Sequence, residues 1–115
     1  MTVIIWHNPR CSKSRQGLGL IEEQGIEPTI VRYLENPPSA AELDRVLGLL
    51  DLEPRELIRR KEAIYSELAL DNENLTRSEL ITAMSENPKL IERPVVLNGD
   101  RAALGRPPEA ILEIL

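Results

Sequence analysis

The chain is 115 residues long, 42% apolar and 29% charged, with a formal net charge of −5. That is room for one domain built on a hydrophobic core of Leu, Ile, Val and Ala, since Phe is absent and Trp6, Tyr33 and Tyr65 are the only aromatic residues. The acidic balance argues against a nucleic-acid binder, and no apolar run approaches the roughly 18 residues of a membrane-spanning helix.

Thr2 to Trp6 is a continuous apolar run and predicts a central strand covered on both faces. A polar stretch follows, His7-Asn8-Pro9-Arg10-Cys11-Ser12-Lys13-Ser14-Arg15. Gly17 to Gln24 then predicts a helix with Leu18 and Ile21 on one face and Gly25 as its stop. Gly17 and Gly19 each weaken such a helix by about 1 kcal/mol relative to Ala, a cost that close packing against the sheet would explain. Pro28 to Tyr33 is a second strand, and the order strand, helix, strand predicts a parallel pair with a right-handed crossover.

Leu34-Glu35-Asn36-Pro37-Pro38 is a stiff linker. Ser39 with Glu42 forms a capping box for a helix whose apolar face is Ala40, Leu43, Val46, Leu47 and Leu50. Pro54 opens a helix reaching about Lys61. Ile64 to Leu70 is one helical turn. Thr76 with Glu79 caps another helix, which runs to about Glu86 with Leu80, Ile81 and Met84 inward and ends at Asn87-Pro88. Val95-Val96-Leu97, Asn98-Gly99-Asp100 and Arg101 to Leu104 then predict a β-hairpin, and Pro107-Pro108 begins a closing helix over Glu109 to Leu115.

The fold class is therefore α/β: a mixed sheet in the order βαβ … ββα, the thioredoxin-like layout, with a helical insertion between the halves. It is one domain over 1–115, with a core of 1–35 and 88–115 and an insert of 39–87. Pro94 falls where that layout often holds a cis proline facing an active thiol.

Cys11 is the only cysteine. At a strand-to-helix turn it would meet the first helical N–H groups and the positive end of the helix dipole, which favour a thiolate and an anionic substrate beside it. The cations of Arg10, Lys13 and Arg15 are expected to push the same way. A lone cysteine forms no internal disulfide, and no secretory pattern opens the chain, so a cytoplasmic, reducing setting is expected. One Cys and one His do not make a zinc site.

The run His-Asn-Pro-Arg-Cys-Ser-Lys-Ser-Arg, the linker Tyr-Leu-Glu-Asn-Pro-Pro, Ile-Glu-Arg-Pro-Val-Val and Gly-Arg-Pro-Pro-Glu together resemble the glutaredoxin-coupled arsenate reductase (ArsC) family over nearly the whole chain. The resemblance implies a reaction. The Cys11 thiolate attacks arsenate and displaces water, giving a covalent thiol–arsenate adduct. Glutathione attacks that adduct, glutaredoxin removes the glutathione, and arsenite leaves. Glutathione is thus a co-substrate, with no tightly bound cofactor and no metal. The partners implied are the oxyanion, glutathione and glutaredoxin, with no nucleic acid and no membrane, and the protein is expected to be a monomer. The family's anion-binding arginines fall on Arg59, Arg93 and Arg106, with Arg60 the alternative to Arg59. Gly105 stands where some relatives carry a second cysteine, which points to external thiols. The Ser-Lys-Ser after Cys11 and the Arg-Pro-Pro ending point to a subgroup whose natural oxyanion is left open between arsenate and another.

Each candidate has a blander reading beside it. His7 either supports the sulfur, as a cation or a donor, or caps the strand end and orders the loop. Asn8 shapes the loop or hydrogen-bonds near the thiol. Ser14, at Cys-x-x-Ser, either donates to the thiolate or oxyanion or serves as a first-turn cap. Arg59, in a charged run, is otherwise part of a solvated helix face; Arg93 and Arg106 are otherwise surface ion-pair partners. Two further functions compete with arsenate reduction. One is a glutathione-linked thiol–disulfide oxidoreductase with another substrate. The other is a non-catalytic regulator resembling the Spx transcriptional regulators, whose Cys-x-x-Cys switch is impossible with Ser14 in the second position.

Overall fold

The first strand, β1 (Val3–Trp6), lies between two neighbours, which explains its unbroken apolar character. The structure is a computed structural model and describes residues 2–115. β1 pairs in parallel with β2 (Thr29–Val31) and antiparallel with β3 (Val95–Asn98), so that Ile5 faces Ile30 on one side and Val96 on the other. β3 pairs antiparallel with β4 (Arg101–Leu104). The four-stranded sheet runs β2-β1-β3-β4, the mixed thioredoxin-like arrangement. Asn98 and Arg101 are partners, so Gly99-Asp100 is a two-residue turn, and Gly99 supplies the positive φ of 63° its first position requires.

The helix between β1 and β2, α1, spans Ser12–Glu23, starting five residues before the predicted Gly17. Ser12 to Gln16 are all polar, so no apolar period marks that first turn. Val3, Ile5, Ile21, Val96, Ala103, Ile111 and Ile114 form one core cluster, with Leu18, Ile26 and Leu115 partly buried against it. β2 is shorter than the predicted 28–33, because the chain turns at Arg32, whose carbonyl accepts the N–H groups of both Glu35 and Asn36. The closing segment, Pro108–Ile114, is a 3₁₀ helix rather than the α-helix predicted for 109–115. The Ala110 N–H reaches back three residues to the Pro107 carbonyl. The carbonyls of Glu113 and Ile114 accept from the side chains of Arg101 and Asn98, which tie the end of this segment to the hairpin.

The chain divides into two compact units, residues 1–36 with 93–115 and residues 37–92. The second holds α2 (Ala40–Leu50), α3 (Pro54–Leu57), α4 (Ala63–Glu67) and α5 (Arg77–Glu86), then a 3₁₀ turn at Pro88–Leu90. Ser39 Oγ accepts the Glu42 N–H at 3.1 Å, and Thr76 and Glu79 form a reciprocal capping box. Leu43, Val46 and Leu47 of α2 and Leu80, Ile81 and Met84 of α5 are buried. α3 stops four residues short of the predicted Lys61. Ile58 is extended (φ −82°, ψ 134°) and bridges to Ile91, while the Glu92 N–H donates to the Leu57 carbonyl at 2.9 Å. That pairing buries two β-branched residues and groups residues 88–92 with the helices, beyond the predicted end of the insert at 87. Among the described residues, no helix is long and apolar enough to cross a membrane.

Candidate active site

Cys11 closes the loop after β1 and is the N-cap of α1, in extended conformation (φ −97°, ψ 124°). Its N–H donates to the Asn8 carbonyl and its carbonyl accepts the Arg15 N–H, both at 3.0 Å. These two bonds turn the chain into the helix and leave the half-buried sulfur at the helix mouth. The sulfur makes no conventional cap bond, yet the N–H groups of Ser14 and Lys13 stabilise its charged form. Burial by itself pushes the Cys11 pKa up. The Ser14 N–H, a hydrogen bond from the Arg93 side chain, the Arg93 charge and the Lys13 N–H outweigh it, and the thiol lies below its ordinary range.

The side chains of Arg10, Lys13 and Arg15 are not among the groups that lower the Cys11 pKa, contrary to expectation. Lys13 acts through its backbone. Arg15 turns away, donating from Nη1 to the Pro9 carbonyl at 2.9 Å, and so braces the loop. Arg10 is exposed, and its N–H donates to Asn8 Oδ1 at 3.0 Å.

Beneath the loop lies a buried polar pair. Ser14 is fully buried, and its Oγ sits 2.7 Å from His7 Nδ1 and accepts the Asn8 N–H at 3.0 Å. The hydroxyl thus ties the end of β1, the loop and the first turn of α1 together. Burial lowers the His7 pKa, and the charges of Arg32 and Arg15 lower it further, which favours the neutral imidazole. Of the readings weighed for His7, the contact with Ser14 fits a ring that orders the loop, and the lowered pKa disfavours a cation. The influence of Arg32 left no trace in the sequence, since it arrives from the far end of the βαβ unit.

Arg93 leads into β3. Its Nε and Nη1 are buried and have no hydrogen-bond partner among the described residues. Such an arrangement is costly unless an acceptor arrives. The Arg93 carbonyl accepts from Arg106 Nε at 3.1 Å, which brings the third predicted arginine alongside. The Arg93–Pro94 bond is cis, as is Arg106–Pro107. Cys11, His7, Asn8, Ser14, Arg93 and Arg106 thus all belong to the sheet unit. Arg59 belongs to the helical unit, where Nη1 meets Glu62 at 2.7 Å and Nε meets Glu92 at 3.1 Å. It is not on a helix, because α3 has already ended. Arg60 is exposed. Among the described residues, no group of three or more His, Cys, Asp or Glu side chains converges as a metal site.

A sulfur whose charged form is favoured, with buried guanidinium nitrogens beside it, can attack an electrophile carried by an oxyanion. The comparisons with known proteins agree in kind. The sequence pattern of the ArsC family matches residues 6–114. An arsenate reductase of Haemophilus influenzae is 51% identical over 118 residues, covering 100% of each chain. A protein of Escherichia coli described as uncharacterized is 52% identical over 114 residues, covering 98% of this chain and 96% of its own. The solved structure of an arsenate reductase from Vibrio cholerae superposes with a TM-score of 0.97 at 52% identity, covering 100% of this chain and 98% of that one. With the motif, the fold and full-length likeness in agreement, the chain belongs to the ArsC family.

Proposed function

We propose that this chain is an arsenate reductase that draws its electrons from glutathione and glutaredoxin. The observation that carries the reading is Arg93: a guanidinium with two buried, unpartnered nitrogens beside a sulfur whose charged form is favoured. Two negative species must meet in this reaction, and that pairing of groups answers the difficulty.

Arsenate near neutral pH carries between one and two negative charges, and a thiolate approaching it is repelled. Arg93 neutralises and orients the oxyanion through its planar fork, with Arg106 beside it. The helix N-terminus adds its N–H groups. The Cys11 sulfur then attacks arsenic. An As–S bond forms and an As–O bond breaks, the oxygen leaving as water once it has taken up protons. Losing one such charge-stabilising donor costs about 3 kcal/mol or more of transition-state stabilisation.

Cys11 is the only thiol in the chain, so the second sulfur must come from outside. Glutathione supplies it. Over the cycle arsenic gains two electrons, passing from As(V) to As(III), and two thiols give them up and end as a disulfide. Glutaredoxin returns Cys11 to the thiol. His7, Asn8 and Ser14 keep the loop in the shape that presents the sulfur.

The test is arsenite production by the purified protein with arsenate, glutathione and glutaredoxin, omitting each in turn. Turnover is expected only with all components, and Cys11→Ser is expected to abolish it while leaving the circular dichroism spectrum intact. Unchanged turnover in Cys11→Ser would remove the reading. A parallel assay on a glutathionylated peptide separates arsenate reduction from thiol–disulfide exchange.

A further inference from the structure

The sulfur and the guanidinium that acts on it come from different elements. Cys11 rides on the N-terminus of α1, and Arg93 on the segment entering β3. Their separation is set where those elements pack, and two glycines decide that packing. A Cβ on Gly17, in α1, would lie 2.8 Å from Pro94 Cγ and 2.9 Å from Ile111 Cδ1. A Cβ on Gly105, just after β4, would lie 2.7 Å from the same Pro94 Cγ and 2.9 Å from the same Ile111 Cδ1. Carbon atoms pack at about 3.5–4.0 Å, so either Cβ would force a shift.

Neither glycine has a positive φ; space, not backbone freedom, is what they provide. Gly19 makes the contrast within the same helix, since a Cβ there would meet nothing within 4 Å. The two obstructing atoms also differ. Ile111 Cδ1 is the end of a flexible side chain and can swing aside. The Pro94 ring closes on its own backbone: a change of pucker shifts its Cγ by a fraction of an ångström, and any larger displacement carries the Arg93 peptide with it. The peptides on both sides of Pro94 are held from the β4 side, where the Gly105 N–H donates to the Pro94 carbonyl at 2.8 Å and Arg106 Nε to the Arg93 carbonyl at 3.1 Å.

We propose that Gly17 and Gly105 are positioning residues for the reaction at Cys11: their missing Cβ atoms let α1 and the exit of β4 close on Pro94, and that closure holds the Arg93 guanidinium against the sulfur. The inference rests on the reading of Cys11 as the nucleophile and deepens it.

The test is the rate of Cys11 alkylation by iodoacetamide against pH, on the full chain, which needs no substrate. Gly17→Ala is expected to slow alkylation at about pH 6 by about threefold or more while leaving the alkaline plateau unchanged, because only the thiolate reacts. Gly19→Ala is expected to leave the profile alone and raise the melting temperature. Gly17→Ala/Ile111→Val removes Ile111 Cδ1 and with it the core crowding. It carries the test should the single variant not fold, and it is expected to keep the slowed acid-side rate. An unchanged rate in folded Gly17→Ala, or recovery of the wild-type profile on adding Ile111→Val, would overturn the proposal by showing that the glycines serve core packing alone. An ordinary thiol profile in the wild-type protein would instead remove the reading of Cys11, and this inference with it.

Discussion

Each unit of the molecule holds a half-buried arginine expected to bind an anion, and the two are treated in opposite ways. In residues 37–92, Arg59 is engaged by Glu62 and Glu92. In the sheet unit, Arg93 keeps Nε and Nη1 buried without a partner among the described residues. The charge balance follows the same division. The helical unit has twelve acidic side chains against seven basic ones, and the sheet unit has seven of each, so the whole net charge of −5 lies in the helices. No acidic residue precedes Glu22 in the chain, which leaves the loop around Cys11 free of local carboxylates. An incoming oxyanion meets two unpartnered nitrogens on Arg93, whose remaining contact is the Cys11 sulfur, whereas Arg59 is already engaged by two carboxylates. The difference marks where a negative ligand is stabilised most for the least displacement.

The largest test of that contrast is Arg93→Ala. Turnover of arsenate, as kcat/KM, is expected to fall on the order of 10²-fold or more, and Cys11 alkylation to shift to higher pH. Arg93→Lys keeps the charge without the planar fork and is expected to lie between the two. A loss within a few-fold for the alanine variant would mean that the unpartnered nitrogens have no function. Next comes Ser14→Ala. It leaves the buried His7 Nδ1 and the Asn8 N–H without their shared partner, at a cost of about 1–3 kcal/mol in urea unfolding. A wild-type midpoint would show that the pair beneath the loop is replaceable by water.

How far the sequence made this legible depends on how local each feature is. The strands were visible because the apolar runs at 2–6 and 95–97 and the glycine turn at 99 are short-range signals. The loop holding Cys11 was visible for the same reason: its shape is set by bonds between Asn8, Arg10, Cys11 and Arg15, all within a few residues. The premature end of α3 was not visible, since the strand-like partner of Ile58 is Ile91, far along the chain. Support for the sulfur from the first helical N–H groups was legible at a strand-to-helix turn, but the nearby charges were assigned to Arg10, Lys13 and Arg15, whereas the charge that acts on it is that of Arg93. For Arg59, the Glu62 contact has the spacing of a helical pair, but Glu92 arrives by the 58–91 pairing and carries no sequence signature.

A smaller test probes whether the two units are as separate in energy as in charge. Thr76→Ala removes one half of the capping box of α5 and is expected to cost about 1 kcal/mol of stability. Measured well below the melting temperature, its Cys11 alkylation profile should match the wild type. A displaced profile would show that the helical unit helps set the state of the sulfur and that the two units are not independent.

The smallest effect carries the sharpest sign. Glu62→Gln removes the closer of the two carboxylates on Arg59 while keeping a polar side chain of the same size. Both side chains of that pair are about a quarter exposed, at 27% and 28%, so the stability change should stay within about 1 kcal/mol. If Arg59 contacts the oxyanion, freeing it strengthens that contact, and the KM for arsenate should fall, by on the order of two- to fivefold. If Arg59 only braces the helical unit, KM will not move. In that case Arg60→Ala becomes the next variant to measure, because Arg60 is exposed in the same segment and is the other arginine the family motif admits. The direction of the KM change, more than its size, decides whether the acidic unit lends a charge to the reaction or keeps it for itself.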